Sequence, residues 1–165
     1  MTWIITDTHF WHHNIIKYCD RPKDHNERMI QAWCDMVQPE DEIIHLGDVI
    51  FGSKKSGLVD LLASLPGIKH HIRGNHDKKS PDYYVDSGFT TSANFFVRDQ
   101  IYFSHRPEQV LRPGCKINIH GHVHNAQPRE YHYFPKSVAL IIEYEDYKPV
   151  DLEEFMARDY VKEIL

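Results

Sequence analysis

Five times along this chain a short apolar run breaks off into glycine, aspartate, asparagine or histidine. TWIIT (2–6) is followed by Asp7-Thr8-His9, and EIIHL (42–46) by Gly47-Asp48. IKHHIR (68–73) is followed by Gly74-Asn75-His76-Asp77. IYFSH (101–105) ends in His105, and KINIH (116–120) leads into Gly121-His122-Val123-His124. Runs of this length and content read as buried strands. Glycine permits a sharp turn where a side chain must be presented. In layered folds the loops at strand C-termini line a shared crevice, so five segments distant in sequence are expected to meet in one place.

NFFVR (94–98) and SVALIIEY (137–144) read as two further strands. Helices are expected between strands. In residues 24–37, Asp24 with Glu27 three residues on resembles a capping box, and Ile30, Trp33 and Val37 share a face. In 56–65, Leu58, Leu61, Leu62 and Leu65 repeat at helical spacing before Pro66-Gly67. Residues 80–88 suggest a short helix with Pro81 in its first turn. Residues 151–165 suggest one terminal helix capped by Asp151. Asp99-Gln100 is placed as a hairpin turn, although the usual glycine is missing. Alternating strands and helices followed by a strand-rich half predict an α/β, mixed α+β layered domain.

With 165 residues and no linker, repeat or low-complexity stretch, a single domain over 1–165 is expected. Apolar residues at 41% and charged residues at 26% suit an ordinary globule. The net charge of −5 argues against coating long nucleic acid, though not against binding a short strand end. Cys19, Cys34 and Cys115 are odd in number and form no CxxC, which favours a reducing compartment over a disulfide framework. No signal-peptide pattern and no 18-residue apolar run is present, so a cytoplasmic location away from membranes is expected. Thirteen histidines, several just past apolar runs, call for a chemical explanation.

Residues two apart in extended chain point the same way, so Asp7 and His9 would reach into one space. Alone, that pair also reads as a helix cap and a surface histidine. Taken with the other clusters, the candidate donors become Asp7, His9, Asp48, Asn75, His105, His122 and His124. Two carboxylates, an amide oxygen and four imidazoles exceed one ion's needs and suit two cations sharing a carboxylate. Such ions, roughly 3.5–4 Å apart, clamp a phosphoryl group for in-line displacement. Mixed oxygen and nitrogen donors without thiolate favour manganese, iron, zinc, cobalt or nickel over calcium.

In this order, D-x-H, G-D, G-N-H-D, H and G-H-x-H over residues 7–124 resemble the calcineurin-like metallophosphoesterases. Together with DTHFWHHNIIKYCDRP, they are most similar to small single-domain bacterial or phage-type members. The resemblance implies a four-layer αββα sandwich and two divalent ions, with manganese the leading candidate. Asp7, His9 and His124 would hold one ion, Asn75, His105 and His122 the other, and Asp48 would bridge them. A hydroxide between the ions would attack phosphorus, His76 would protonate the leaving oxygen, and Asp77 would orient His76.

Arg106, Arg21, His12 and His13 are candidate substrate contacts, because arginine suits bidentate phosphate binding; a surface salt bridge or an exposed loop residue is the alternative. Lys78 and Lys79 either add positive potential or solvate a helix start. Lys54 and Lys55 lie on a loop that either gates substrate or only connects. The run YHYF (131–134) either stacks a base or covers a core edge. Ser104 lacks a nucleophile elbow, and His120 fits strand packing better than ligation. The expected activity is hydrolysis of a phosphodiester, or a phosphomonoester, of a small or nucleotide-like substrate. The alternatives are a nuclease, a protein phosphatase, and a non-catalytic interaction scaffold on the same fold.

Overall fold

Alternation along the strands sets the layers. In β1 (Thr2–Ile5), Trp3 and Ile5 belong to one apolar cluster and Ile4 to another; in β2 (Glu42–His45), Ile43 and Ile44 divide the same way. Both strands are therefore buried on two faces, as near-continuous apolar runs in a parallel sheet require. The computed structural model describes residues 1–51 and 55–165, with Lys54 and the Lys55 side chain outside the described residues.

α1 (Ile15–Tyr18) and α2 (His25–Met36) follow β1, and α3 (Lys55–Ser64) follows β2. Then come β3 (Ile68–Ile72), α4 (Pro81–Val85), β4 (Thr91–Ala93), β5 (Phe95–Arg98) and β6 (Ile101–Ser104). The chain ends with β7 (Ile117–His120), β8 (Ser137–Ala139), β9 (Val150–Asp151), α5 (Leu152–Met156) and α6 (Asp159–Lys162). One sheet has the order β4-β3-β2-β1-β9 and the other β5-β6-β7-β8. β1 to β4 run parallel with β9 antiparallel, and β6 to β8 run parallel with β5 antiparallel. This is the mixed α/β, two-sheet architecture that the sequence predicts.

Met29, Trp33, Leu58 and Leu62 pack onto the outer face of the first sheet. Ile4, Ile44, Phe103 and Ile119 fill the space between the sheets, joined by Phe155 and Val161 from α5 and α6. The outer face of the second sheet carries a thinner layer. Loop residues cover it: Glu108 N–H donates to Asn118 Oδ1, and the Arg112 guanidinium lies over Phe95 and Tyr102.

Several local expectations change. Asp24 does not cap α2; its dihedrals (φ −96°, ψ 20°) leave the extended region a cap needs, and it accepts from Arg28 instead. Ser80 and Asp151 do cap, accepting from Tyr83 N and Glu154 N. The single terminal helix is two helices, because Arg158 is extended (ψ 140°) where its guanidinium grips Glu145 at 2.7 and 2.9 Å. SVALIIEY leaves the sheet after Ala139 and forms a 3-10 turn at Ile142–Tyr144. Asp99 (φ 48°) and Gln100 (φ 68°) make the β5–β6 turn, accepting left-handed dihedrals without glycine. Among the described residues no helix is long and apolar enough to cross a membrane.

Candidate metal centre

Parallel strands end on one edge, and the polar clusters sit there. Backbone pairing continues past β1 and β2: Asp7 N donates to Gly47 O (2.9 Å) and His9 N to Asp48 O (3.0 Å). In the second sheet Gly121 N donates to His105 O at 3.1 Å. Two bonds join the sheets at this edge: His122 N donates to Asp7 Oδ2 (2.8 Å), and the His105 Nδ1–H reaches Leu46 O (2.9 Å).

Donor atoms of Asp7, His9 and His124 gather within 4.8 Å of one another, and so do those of Asp48, His105 and His122. Asn75 Oδ1 lies 2.8 Å from His105 Nε2. Asp48 stands between the groups, with Oδ2 3.6 Å from His9 Nε2 and 3.5 Å from His105 Nε2. Its Oδ1 is fixed by His76 N at 2.8 Å. All seven expected donors thus face one space.

Unmet bonding shows what the space would hold. Thr6 Oγ1 (2.5 Å) and His122 N occupy Asp7 Oδ2, whereas Asp7 Oδ1 and His9 Nε2 are buried without a partner. With Nδ1–H of His105 donating to Leu46 O, its Nε2 lone pair faces the Asn75 oxygen, a repulsive pairing unless a cation or proton intervenes. Buried polar atoms rarely stay unpaired. Two carboxylates, an amide oxygen and four imidazoles therefore fit a pair of divalent cations chemically.

The electrostatics agree. Burial pushes Asp48 up to about 6, opposed by His105 and reinforced by the Asp7 charge. Burial also opposes the charge on Asp7, yet His105, His124 and His9 hold its carboxyl below the usual range. Burial lowers His9 to about 3 and His122 to about 4, leaving neutral imidazoles suited to ligation. His124 moves the other way, to about 10: burial is outweighed by contacts with Cys19 and Glu143 and by the Asp7 charge. That negative field favours any cation.

The backbone is strained at these residues. Asp7 (φ 48°), His9 (46°), Asp48 (56°), His122 (75°) and His124 (47°) all adopt left-handed dihedrals. Non-glycine residues there cost on the order of 1–3 kcal/mol each and cluster at functional sites. Glycine is required where chain meets chain. A Cβ on Gly74 would run into the Asp48 carboxylate, and one on Gly121 into the Thr6 hydroxyl.

The sequence reading missed the residues that hold the donors. Glu143 bonds His124 Nδ1 at 3.1 Å, the carboxylate–imidazole pairing that orients metal-binding histidines. Thr6 fixes Asp7. Neutral His45, lowered to about 3 by burial, accepts from Gly47 N and bonds Thr8 Oγ1, which donates to Val49 O. The HH pair in IKHHIR was the available signal for His71, whose Nε2 bonds Asp77 at 3.0 Å.

Two expectations are corrected. Arg21 is 3% exposed; it donates to Asp7 O, Thr8 O and Glu143, so it binds the protein rather than a ligand. Asp77 does not orient the His76 ring. It is 2% exposed and accepts from Asp48 N (2.7 Å), Gly74 N (2.8 Å) and His71, which pins the two loops together.

The other candidates divide. His76 is on the open side, its side chain 40% exposed and its Nε2 4.0 Å from Asp48 Oδ2. His12 is buried, stacks on Phe51 at 3.9 Å and neighbours His9 and His76. His13 lines a separate cavity with Lys23 and Asn26, apart from the seven donors. Arg106 is exposed and lines a cavity with Asn75 and His105. His120 is buried and bonds Gly121 O, a packing role. Tyr133 packs edge-on to His120 and Tyr131.

The fold and this edge define a metallophosphoesterase, and the chain belongs to the calcineurin-like phosphoesterase family, whose model matches residues 1–152. An uncharacterized protein of Methanocaldococcus jannaschii is 34% identical over 161 residues, covering 92% of this chain and 86% of that protein. The gene 66 protein of Mycobacterium phage L5 is 25% identical over 178 residues, covering 86% of each. Among solved structures, a protein of unknown function from Aquifex aeolicus aligns with a TM-score of 0.75 at 25% identity, over 94% of this chain and 97% of that one. The nuclease MPE of Pseudomonas putida shares the fold, with a TM-score of 0.54 at 17% identity over 74% and 61%.

Proposed function

We propose that this protein hydrolyses phosphate esters, phosphodiesters ahead of monoesters, with two divalent cations, manganese first among them. The proposed substrate is small or nucleotide-like. The observation that carries the reading is the pair of donor groups facing each other across Asp48 Oδ2, with Asp7 Oδ1 and His9 Nε2 buried and unbonded.

Asp7, His9 and His124 would hold one cation, Asn75, His105 and His122 the other, and Asp48 both. Cations held there supply Lewis acidity, neutralising phosphoryl charge and lowering the pKa of water toward roughly 7. In the net reaction water oxygen bonds phosphorus, the ester P–O bond breaks, and the leaving oxygen takes a proton. His76 would deliver that proton, a role its exposed side chain beside Asp48 supports. Glu143 and Arg21 hold His124 and the Asp7–Thr8 backbone, while Asp77 holds the Asp48 and Gly74 loops.

The test is hydrolysis of bis-p-nitrophenyl phosphate and p-nitrophenyl phosphate with added manganese, before and after chelation. The expected result is chelator-sensitive turnover, faster on the diester. His76→Ala is expected to lower turnover by about 10²–10⁴-fold with metal content unchanged. Bound manganese without turnover on either ester would refute the reading and favour the interaction scaffold.

A further inference from the structure

Two cavities adjoin the centre, one reaching it through Asn75 and His105 and the other through the neighbouring His76. On the His105 side, Arg73, Asn75, Asn94, His105, Arg106 and Glu108 wall about 240 Å³. On the His76 side, Phe51, His76, Lys78, Lys79, Tyr83 and Tyr84 wall about 270 Å³. The chain carries a net charge of −5, and elsewhere its arginines find acids, as Arg28 with Asp24, Arg98 with Glu42 and Arg158 with Glu145, or aromatic rings, as Arg112 with Phe95. Arg73, Arg106, Lys78 and Lys79 form no ion pair among the described residues. Arg73 is the telling case. Its Nε is buried with no partner, and its Nη2 reaches only Asp77 O at 3.5 Å. A guanidinium is unfavourably placed there until an anion arrives.

The His76 side also carries an aromatic surface. Phe51 is 42% exposed, with one neighbour stacked on it, His12, and the His76 ring 5.6 Å away. Base faces stack on such rings without regard to sequence. A small isolated ester needs neither a cationic pocket on each side nor a platform beside the proton donor. A strand with a phosphate before and after the one being cleaved uses all three.

We propose that the substrate is a short single nucleic-acid strand crossing the centre. Arg73 and Arg106 hold the flanking phosphate on the His105 side, Lys78 and Lys79 hold the one on the His76 side, and a base rests on Phe51. Among the described residues Glu108 is the one acid lining either cavity, on the arginine side, which limits that pocket to a single phosphate. This assignment rests on the phosphoesterase reading above.

The experiment compares kcat/KM of the full-length manganese-loaded protein on a thymidine dinucleotide and a thymidine tetranucleotide, with bis-p-nitrophenyl phosphate as the reference ester. The expected preference for the tetranucleotide is about ten-fold or more at 50 mM salt and shrinks by 200 mM. Arg106→Ala and Lys78→Ala/Lys79→Ala are each expected to lower the tetranucleotide-to-dinucleotide ratio several-fold. These residues are exposed, so both variants should fold even where Arg73→Ala does not. Equal rates on the two lengths, with bis-p-nitrophenyl phosphate still cleaved, would overturn this proposal alone. No turnover of the reference ester would overturn the phosphoesterase reading beneath it. Faster cleavage of a duplex 12-mer or of a dinucleoside tetraphosphate would overturn the single-strand assignment and leave the phosphoesterase reading standing.

Discussion

Replacing Asp77 with alanine tests whether this carboxylate is a brace or part of the chemistry. The side chain accepts from Asp48 N at 2.7 Å, Gly74 N at 2.8 Å, His71 Nε2 at 3.0 Å and Val49 N at 3.3 Å. A buried donor left without a partner costs about 1–3 kcal/mol. Counting only the two short backbone bonds gives a loss of roughly 2–6 kcal/mol, or roughly 4–24 °C in Tm for a chain of this size. Asp77→Asn should cost much less, because one amide oxygen can occupy the Oδ2 position that serves all three short contacts. A pH arm sharpens the test. His71 and the backbone donors hold Asp77 at about 2 although burial opposes its charge. A depressed folded-state pKa contributes stability above the unfolded value near 3.8, lost as pH falls toward about 2. Wild type should therefore shed roughly 2 kcal/mol over that window that Asp77→Ala never had. Thermal melts by circular dichroism from pH 7 to pH 2, with metal content measured alongside, give the answer. An alanine variant that melts within about 2 °C of wild type and keeps its metal, yet loses turnover, would refute the brace and restore the role of orienting His76.

Manganese at 100 times its dissociation constant should add about 2.7 kcal/mol per site, raising Tm by roughly 5–11 °C, and a chelator should reverse it; an unchanged melt would rule out tight binding to the folded state. Glu143→Ala strands the buried Arg21 guanidinium, so a loss of about 3–5 kcal/mol is expected, with manganese affinity down about 10–100-fold; calorimetry that finds both unchanged would show the contact idle. Gly74→Ala drives a Cβ into the Asp48 carboxylate, for a loss of about 1–3 kcal/mol and weaker manganese binding by titration; wild-type affinity would mean the two loops separate freely.

The gathering of the seven was legible because each lies within four residues of a strand end, and strand ends are what apolar runs disclose. His9 follows Asp7 on one short turn, and Gly74 and Gly121 mark where chain touches chain. The bracing residues were not legible, because their roles exist only across long separations: 122 residues separate Arg21 from Glu143, and 29 separate Asp77 from Asp48. Arg21 looked like a phosphate ligand because an arginine beside a motif has that chemistry; that an acid meets it first is a fact of packing. The apolar run that misled, SVALIIEY, did so for the same reason. The chain turns out of the sheet after Ala139 and brings Glu143 to His124, a tertiary bond that outweighs local strand preference. β4 and β9 escaped notice because three and two residues carry no periodicity.

Left-handed dihedrals at Asp7, His9, Asp48, His122 and His124 need something to hold them, because none relaxes to a lower-energy conformation without losing the donor geometry. The bonds that supply this run between elements rather than within them. Asp7 Oδ2 is tied to His122 N in the other sheet, Asp48 Oδ1 to His76 N on the next loop, and His105 to Leu46 O across the sheets. The donor groups are therefore set by the relation of the two sheets, and the sheets are held at this edge partly by donors. Burial pushes Asp48 up to about 6 beside a second buried carboxylate, so charge repulsion adds to the conformational tension at this edge. A cation between those carboxylates relieves repulsion at the seam, which is why its effect should register in the melting of the whole fold rather than in the loops alone.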